Sequence, residues 1–328
     1  MSLRILVLLD GTPQAEGALR YAEVLVRTAG GHLKVFRASV GGGPTDYLER
    51  ALDSIATRLR ETGVPTEWSV VEGEAVPAIL DAARSWQPHF IAMTTSRSSG
   101  LDRWLNDGVA DAIVRSAEVP VLVVPPDAAH PSARKPPTQI MVPLDGSALA
   151  EAALGPATEL ARSLPADVIL LRVIEEDTMR GHFHPREAEH YIQTMRDQVG
   201  AAVPQRQVNA QVASGSPTVA IARAANELAA GLIAMSTRGR GGLTRAVLGS
   251  TATATLEQSI VPLLLVGPAA MTASLSRRGE IGLTSLQGRT DSGPVPALLA
   301  AAVADTVEEQ GGQSFPASDP PSWTGSTI

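Results

Sequence analysis

The residues in this chain best suited to chemistry are glycines, hydroxyls and arginines set between two apolar runs. The stretch 233–266, IAMSTRGRGGLTRAVLGSTATATLEQSIVPLLLV, reads as a strand, a Gly/Arg-rich loop, a helix opening at Gly249-Ser250-Thr251 and a closing strand. Glycine lets backbone approach a ligand closely and reach positive φ. The free N–H groups of a helix start attract anions. A loop of this composition suits a phosphate. Gly239 would admit it against backbone, and Gly249 and Ser250 would offer N–H groups and a hydroxyl. Arg238, Arg240 and Arg245 would add positive charge. A second polar group, Asp145-Gly146-Ser147, ends another apolar run and places a carboxylate where it can accept hydrogen bonds. Alone, Asp145 reads as a turn or helix N-terminal residue, and only its pairing with the glycine loop points to a site; Ser250 reads also as a helix N-cap.

These groups need elements to hold them, and the chain supplies the elements twice. The continuous apolar run at residues 3–9 suggests a strand buried on both faces, as in a parallel sheet, and residues 32–39, 66–71, 90–94 and 119–124 read as four further strands. Helical periodicity falls between them, over residues 15–29, 46–61, 76–86 and 105–117. Residues 125–137, PPDAAHPSARKPP, hold five prolines and no apolar period, the composition of a linker. Then the pattern restarts. Ile140 to Ser147 copies Ile5 to Thr12 at an offset of 135, and Val168 to Ile174 copies the second strand. Val212-Ala213-Ser214-Gly215 copies Val70-Val71-Glu72-Gly73 at an offset of 142, which the later strands keep. Seven extra residues must therefore lie between the second and third strands of the second copy. Two copies with one element order mark a duplicated α/β domain, 1–126 and 138–267, joined by 127–137. Residues 268–328, rich in Ser, Gly, Pro and Thr, read as a mostly disordered tail with one helical segment at 295–309.

Composition narrows the function. A net charge of -7 argues against general nucleic-acid binding, which needs a basic surface. With no cysteine, disulfides, thiolate catalysis and cysteine-ligated zinc are excluded. The N-terminal apolar run is too short for a signal peptide, and no run approaches the roughly 18 apolar residues of a membrane span. A cytoplasmic protein with no membrane partner is expected. No G-x-x-x-x-G-K-[ST] loop and no G-x-S-x-G elbow is present, so no catalytic set stands out. His182, His184 and His190 with Glu187 form a metal-like cluster, but a solvated histidine-rich loop is the preferred reading and no metal is expected.

Gly239, nine residues, then Gly249-Ser250 resembles the nucleotide-binding signature of the universal stress protein family, G-x2-G-x9-G-[ST]. Ser236 stands where the family's first glycine falls. The likeness runs over residues 3–124 and 138–266. It implies two tandem five-stranded parallel-sheet α/β sandwiches, each with strand order 3-2-1-4-5. Strand order then reverses between the first and fourth strands, and ligands of open α/β sheets bind at the carboxyl edge of such a reversal. Carried over position by position, the resemblance implies nucleotide contacts at Pro143, Leu144 and Asp145, and at Val173 ending the second strand. It implies further contacts at Met235, Ser236, Arg238, Gly239, Gly249, Ser250 and Thr251. The implied ligand is an adenine nucleotide, ATP first, with AMP or a cyclic nucleotide open and Mg²⁺ only as a companion of phosphate. The implied role is a stress-response sensor or regulator with at most slow ATP hydrolysis. The alternatives are an ATP-dependent transferase or adenylating enzyme on the same scaffold, and an interaction module that binds no nucleotide. In the first copy Arg97, Asp107 and Gly108 stand at the positions of Gly239, Gly249 and Ser250, so no nucleotide is expected there. Members of the family pair through their fifth strands, which implies an internal pseudo-dimer of the two copies. A homodimer and a downstream protein partner are left open.

Overall fold

A computed structural model describes residues 2–39, 45–94, 108–125, 135–175, 185–238 and 248–271. The first half runs β1 (Leu3–Leu8), α1 (Glu16–Ala29), β2 (Gly31–Ser39), α2 (Asp46–Glu61), β3 (Thr66–Glu72), α3 (Ala75–Trp86), β4 (Phe90–Thr94), α4 (Val109–Ser116) and β5 (Val121–Val124). The second runs β6 (Gln139–Leu144), α5 (Ala148–Glu151), α6 (Leu154–Ser163), β7 (Asp167–Ile174), α7 (Pro185–Ala202), β8 (Val208–Ser214), α8 (Pro217–Glu227), β9 (Leu232–Ser236), α9 (Ser250–Gln258) and β10 (Leu263–Val266).

The apolar runs become central strands because helices cover both of their faces. Ile5, Leu6 and Val7 of β1 and Ile140, Met141 and Val142 of β6 are fully buried. Helix α1 turns Ala18, Tyr21, Ala22 and Leu25 inward at helical spacing. It stops at Gly30, whose positive φ of 70° lets its N–H close on the Val26 carbonyl. Where the first half has one helix, the second has two short ones, α5 and α6.

All ten strands form one sheet in the order β3-β2-β1-β4-β5-β10-β9-β6-β7-β8. Each half has the order 3-2-1-4-5 with parallel neighbours, and β5 meets β10 antiparallel, with Leu122 beside Leu264. The two sets of carboxyl edges therefore face opposite ends of the sheet. Registers locate the insertion: Leu33 lies beside Thr66, whereas its counterpart Val168 lies beside Val208, seven positions further on. The fifth strands begin at Val121 and Leu263, two residues later than the apolar runs suggest. The preceding Pro120 and Pro262 have no N–H to give, although their carbonyls still accept from Ile91 and Ile233.

Two further contacts among the described residues join the halves. The Tyr21 hydroxyl, fully buried in α1, donates to the Gly231 carbonyl at 3.2 Å. Gly267 packs so closely on the Val114 carbonyl of α4 that a Cβ there would collide with it. Past residue 267, residues 268–271 are still helical, with Ala270 and Met271 buried. The segment expected at 295–309 and the start of the helix expected at 105 lie outside the described residues.

Candidate functional site

The carboxyl end of β6 is a turn built by its own side chains. Asp145 Oδ1 accepts from the Ser147 N–H at 2.8 Å and from the Ser147 hydroxyl at 2.6 Å. The Ser147 Oγ accepts in turn from the Ala150 N–H at 3.1 Å, capping α5. Gly146 bends the chain with a φ of 85°, which a side chain would resist. The first half repeats the device at Asp10, Gly11 and Thr12, with bonds of 2.8 and 2.7 Å. Thus the Asp145 turn seen as a bare possibility in the sequence is realised, and it fixes one carboxylate oxygen at the end of β6.

The mouth opens because β6 and β9 part early. Their pairing ends at Met141 beside Ile233, while β1 and β4 stay paired one residue longer, to Val7 beside Ala92. Pro143 stands where the first half has Leu8, and without an N–H it cannot extend a ladder toward β9. Pro143 and Leu144 are buried, and Val173 is half-buried near the end of β7.

Across the mouth, β9 ends at Ser236. Its hydroxyl donates to the Arg238 carbonyl at 2.7 Å and accepts from the Arg238 N–H at 3.1 Å. The side chain that replaces a glycine is therefore folded onto the following backbone. Met235 is buried behind it. The Thr237 carbonyl accepts from the Gly249 N–H at 2.7 Å, so this N–H, expected to be offered to a ligand, is already taken by backbone. Helix α9 begins at Ser250, with Gly249 at the cap position and no side-chain cap. Ser250 is therefore the first helical residue rather than the N-cap. Its side chain is exposed and Thr251 half-buried. Two polar atoms here, Thr237 Oγ1 and Arg238 Nε, are buried with no hydrogen-bond partner among the described residues. Gly239, Arg240 and Arg245 lie outside the described residues.

One group beneath the mouth escapes sequence reasoning. Arg172 of β7, 3% exposed, donates from Nη1 to the Leu144 carbonyl at 3.1 Å. Its guanidinium carbon lies 5.9 Å from the centre of the Tyr191 ring of α7. The Tyr191 hydroxyl donates to Glu151 Oε1 at 3.1 Å. Burial pushes the Tyr191 hydroxyl well above the ordinary tyrosine range. The Glu151 charge, its hydrogen bond and the Asp145 charge push the same way, and Arg172 pulls against them. The available signal was an arginine inside the apolar run VILLRVI, at the position of Arg37 in the first half.

The first mouth differs. Its helix α4 starts one position later, after Gly108 with a φ of 73°, a conformation the aligned Ser250 does not adopt. The Arg37 guanidinium lies against Gly11. Arg97 and Asp107 lie outside the described residues, as do His182 and His184. Glu187 and His190 are exposed on α7, and no group of three or more metal-ligating side chains occurs among the described residues. No helix among them is long and apolar enough to cross a membrane.

The model of the universal stress protein family matches residues 1–125 and 137–267. A universal stress protein of Methanocaldococcus jannaschii is 32% identical over 76 residues, 23% of this chain and 45% of that protein. The match thus spans under half of that relative's length. The solved structure of a universal stress protein from Archaeoglobus fulgidus is 21% identical with a TM-score of 0.60, covering 80% of this chain and 95% of that one. A functionally unknown protein from Pseudomonas aeruginosa is 18% identical with a TM-score of 0.61, covering 84% and 97%. At these identities the two structures speak to fold.

Proposed function

Because this chain belongs to the universal stress protein family, we propose that its second half holds an adenine nucleotide, ATP first, where β6 and β9 part. The observation that carries the reading is the pair of buried, unpartnered polar atoms, Thr237 Oγ1 and Arg238 Nε, beside the uncapped start of α9. A buried donor without an acceptor costs about 1–3 kcal/mol. Phosphate oxygens at this helix start would satisfy both, and the helix dipole favours the same charge. The residues present therefore fit the group.

In this reading Asp145, anchored by one oxygen, accepts from donors of the ribose or base, and Pro143, Leu144 and Val173 line the base side. Met235 and Ser236 shape the floor. Arg238, Gly239, Gly249, Ser250 and Thr251 surround the phosphates, with Mg²⁺ at most as their companion. The first half binds no nucleotide in this way and serves as a structural or regulatory partner. No general base is assigned, so the protein acts as a sensor or regulator in the cytoplasm, with hydrolysis slow at most.

Mass spectrometry of ligand released from the native protein tests this. Wild type is expected to carry an adenine nucleotide and Gly239→Arg, which copies the first half, to be empty. An empty wild type that also gives no heat on ATP titration refutes the reading.

A further inference from the structure

Arg172 holds a charge in a strand whose neighbours, Leu171 and Val173, are aliphatic. Burying such a charge is costly unless carboxylates and hydrogen bonds compensate it. Here compensation comes from three other elements. The end of β6 supplies the Leu144 carbonyl, α7 supplies the Tyr191 ring beside the guanidinium, and the charges of Asp145 and of Glu151 on α5, itself 1% exposed, act on that same tyrosine. Tyr191 links the last two by its 3.1 Å bond to Glu151.

The first half has the arginine without this cage. Arg37 is half-buried against Gly11. Glu16, the counterpart of Glu151, is exposed and pairs with Arg20 at 3.4 Å. Counting back from the third strand, Glu49 stands where Tyr191 does, and it accepts from Thr45 on its own helix. The cage is present only in the half that keeps the ligand motif, and α7, which contributes its ring, follows the longer connection.

We infer that Arg172, caged by Tyr191 and Glu151, is the positioning residue of the second mouth: it holds the Leu144 carbonyl and the Asp145 turn in the shape the nucleotide meets. The inference rests on the adenine-nucleotide reading above. Through the cage, helix α7 becomes part of the frame of the site. Tyr191 and Glu151 act through Arg172. Charged groups facing Tyr191 are Glu151 on α5, Asp145 at the end of β6 and Arg172 on β7.

The test is calorimetric titration of ATP into the full chain and its Tyr191→Phe variant, with Tm measured on the same samples. Phenylalanine keeps the ring over Arg172 and removes only the hydroxyl. The variant is expected to bind ATP about fivefold to tenfold more weakly, the net value of one hydrogen bond. Tyr21→Phe, which also loses one buried hydroxyl but in the first half, is the control: its Tm should fall comparably while its affinity stays within about twofold of wild type. Glu151→Gln, which keeps the acceptor and loses the charge, is expected to weaken binding as well. The double variant should be no weaker than the weaker single variant, because the two residues act as one unit. If wild type binds ATP and Tyr191→Phe binds equally well, or loses no more affinity than Tyr21→Phe, the inference falls alone. If wild type binds no ATP, it falls together with the nucleotide reading.

Discussion

The duplication provides an internal control for the carboxylate at the second mouth. Asp145→Ala removes the acceptor of two hydrogen bonds, 2.8 Å from the Ser147 N–H and 2.6 Å from its hydroxyl. Asp10→Ala removes the same two bonds, 2.8 and 2.7 Å, from the first half. At about 0.5–1.5 kcal/mol net per bond, each variant should lose roughly 1–3 kcal/mol, with Asp10, the more exposed, at the lower end. For a body of this size that is a fall in Tm of roughly 2–5 °C. Stability thus treats the two residues alike, whereas ATP should not. Asp10→Ala is expected to leave affinity within about twofold, while Asp145→Ala lowers it at least about tenfold, or 1.4 kcal/mol. Asp145→Asn separates the roles. It keeps Oδ1 for the turn, so Tm stays near wild type, but it loses the charge and with it about tenfold or more in affinity. Urea or thermal unfolding without nucleotide, and calorimetry with ATP, give the two numbers independently. Equal affinity losses from Asp10→Ala and Asp145→Ala, or wild-type binding by Asp145→Asn, would refute the assignment of the carboxylate to the ligand.

Other expectations follow from the way the halves are joined. Tyr21→Phe leaves the Gly231 carbonyl without its donor and should cost about 1 kcal/mol in urea unfolding, the net value of one neutral hydrogen bond; no measurable loss would mean the contact is idle. Leu264→Ala empties a position 1% exposed beside Leu122 and should cost about 2–5 kcal/mol, read as a lower urea midpoint. Gly267→Ala drives a methyl into the Val114 carbonyl and should cost about 1–3 kcal/mol, whereas Gly200→Ala, which faces open space on α7, should not destabilise. Alkaline pH offers a fourth check. Burial raises the ionisation of Tyr21 and Tyr191 well above the ordinary tyrosine value of 10.0. The unfolded chain releases those protons first, so the stability they confer is complete below pH 10 and is lost as pH rises toward the folded values. Each contributes a slope of about 1.4 kcal/mol per pH unit there. Tyr21→Phe should therefore flatten the fall in urea midpoint above pH 10, and an unchanged slope would show that Tyr21 is not protected.

Much of this protein was open to reading along the chain because its signals are local. A run such as Ile140-Met141-Val142 is a buried strand wherever helices cover it, and Asp-Gly-Ser or Asp-Gly-Thr closes a turn with atoms two residues apart. The repeat doubled each signal, and the shift of offset from 135 to 142 located the insertion before any register was known. The Gly249 and Ser250 helix start was legible for the same reason, although which residue caps it was not, since a cap depends on backbone angles rather than residue type alone. Tertiary structure decided what depends on distant faces meeting. Nothing near Arg172 in sequence explains its burial, because Tyr191 and Glu151 lie 19 and 21 residues away on helices whose inward faces are set by packing. Nothing near Tyr21 announces a partner 210 residues on. Periodicity and turn chemistry are written in neighbouring residues, whereas the compensation of a buried charge or hydroxyl is settled only when separate elements close on one another.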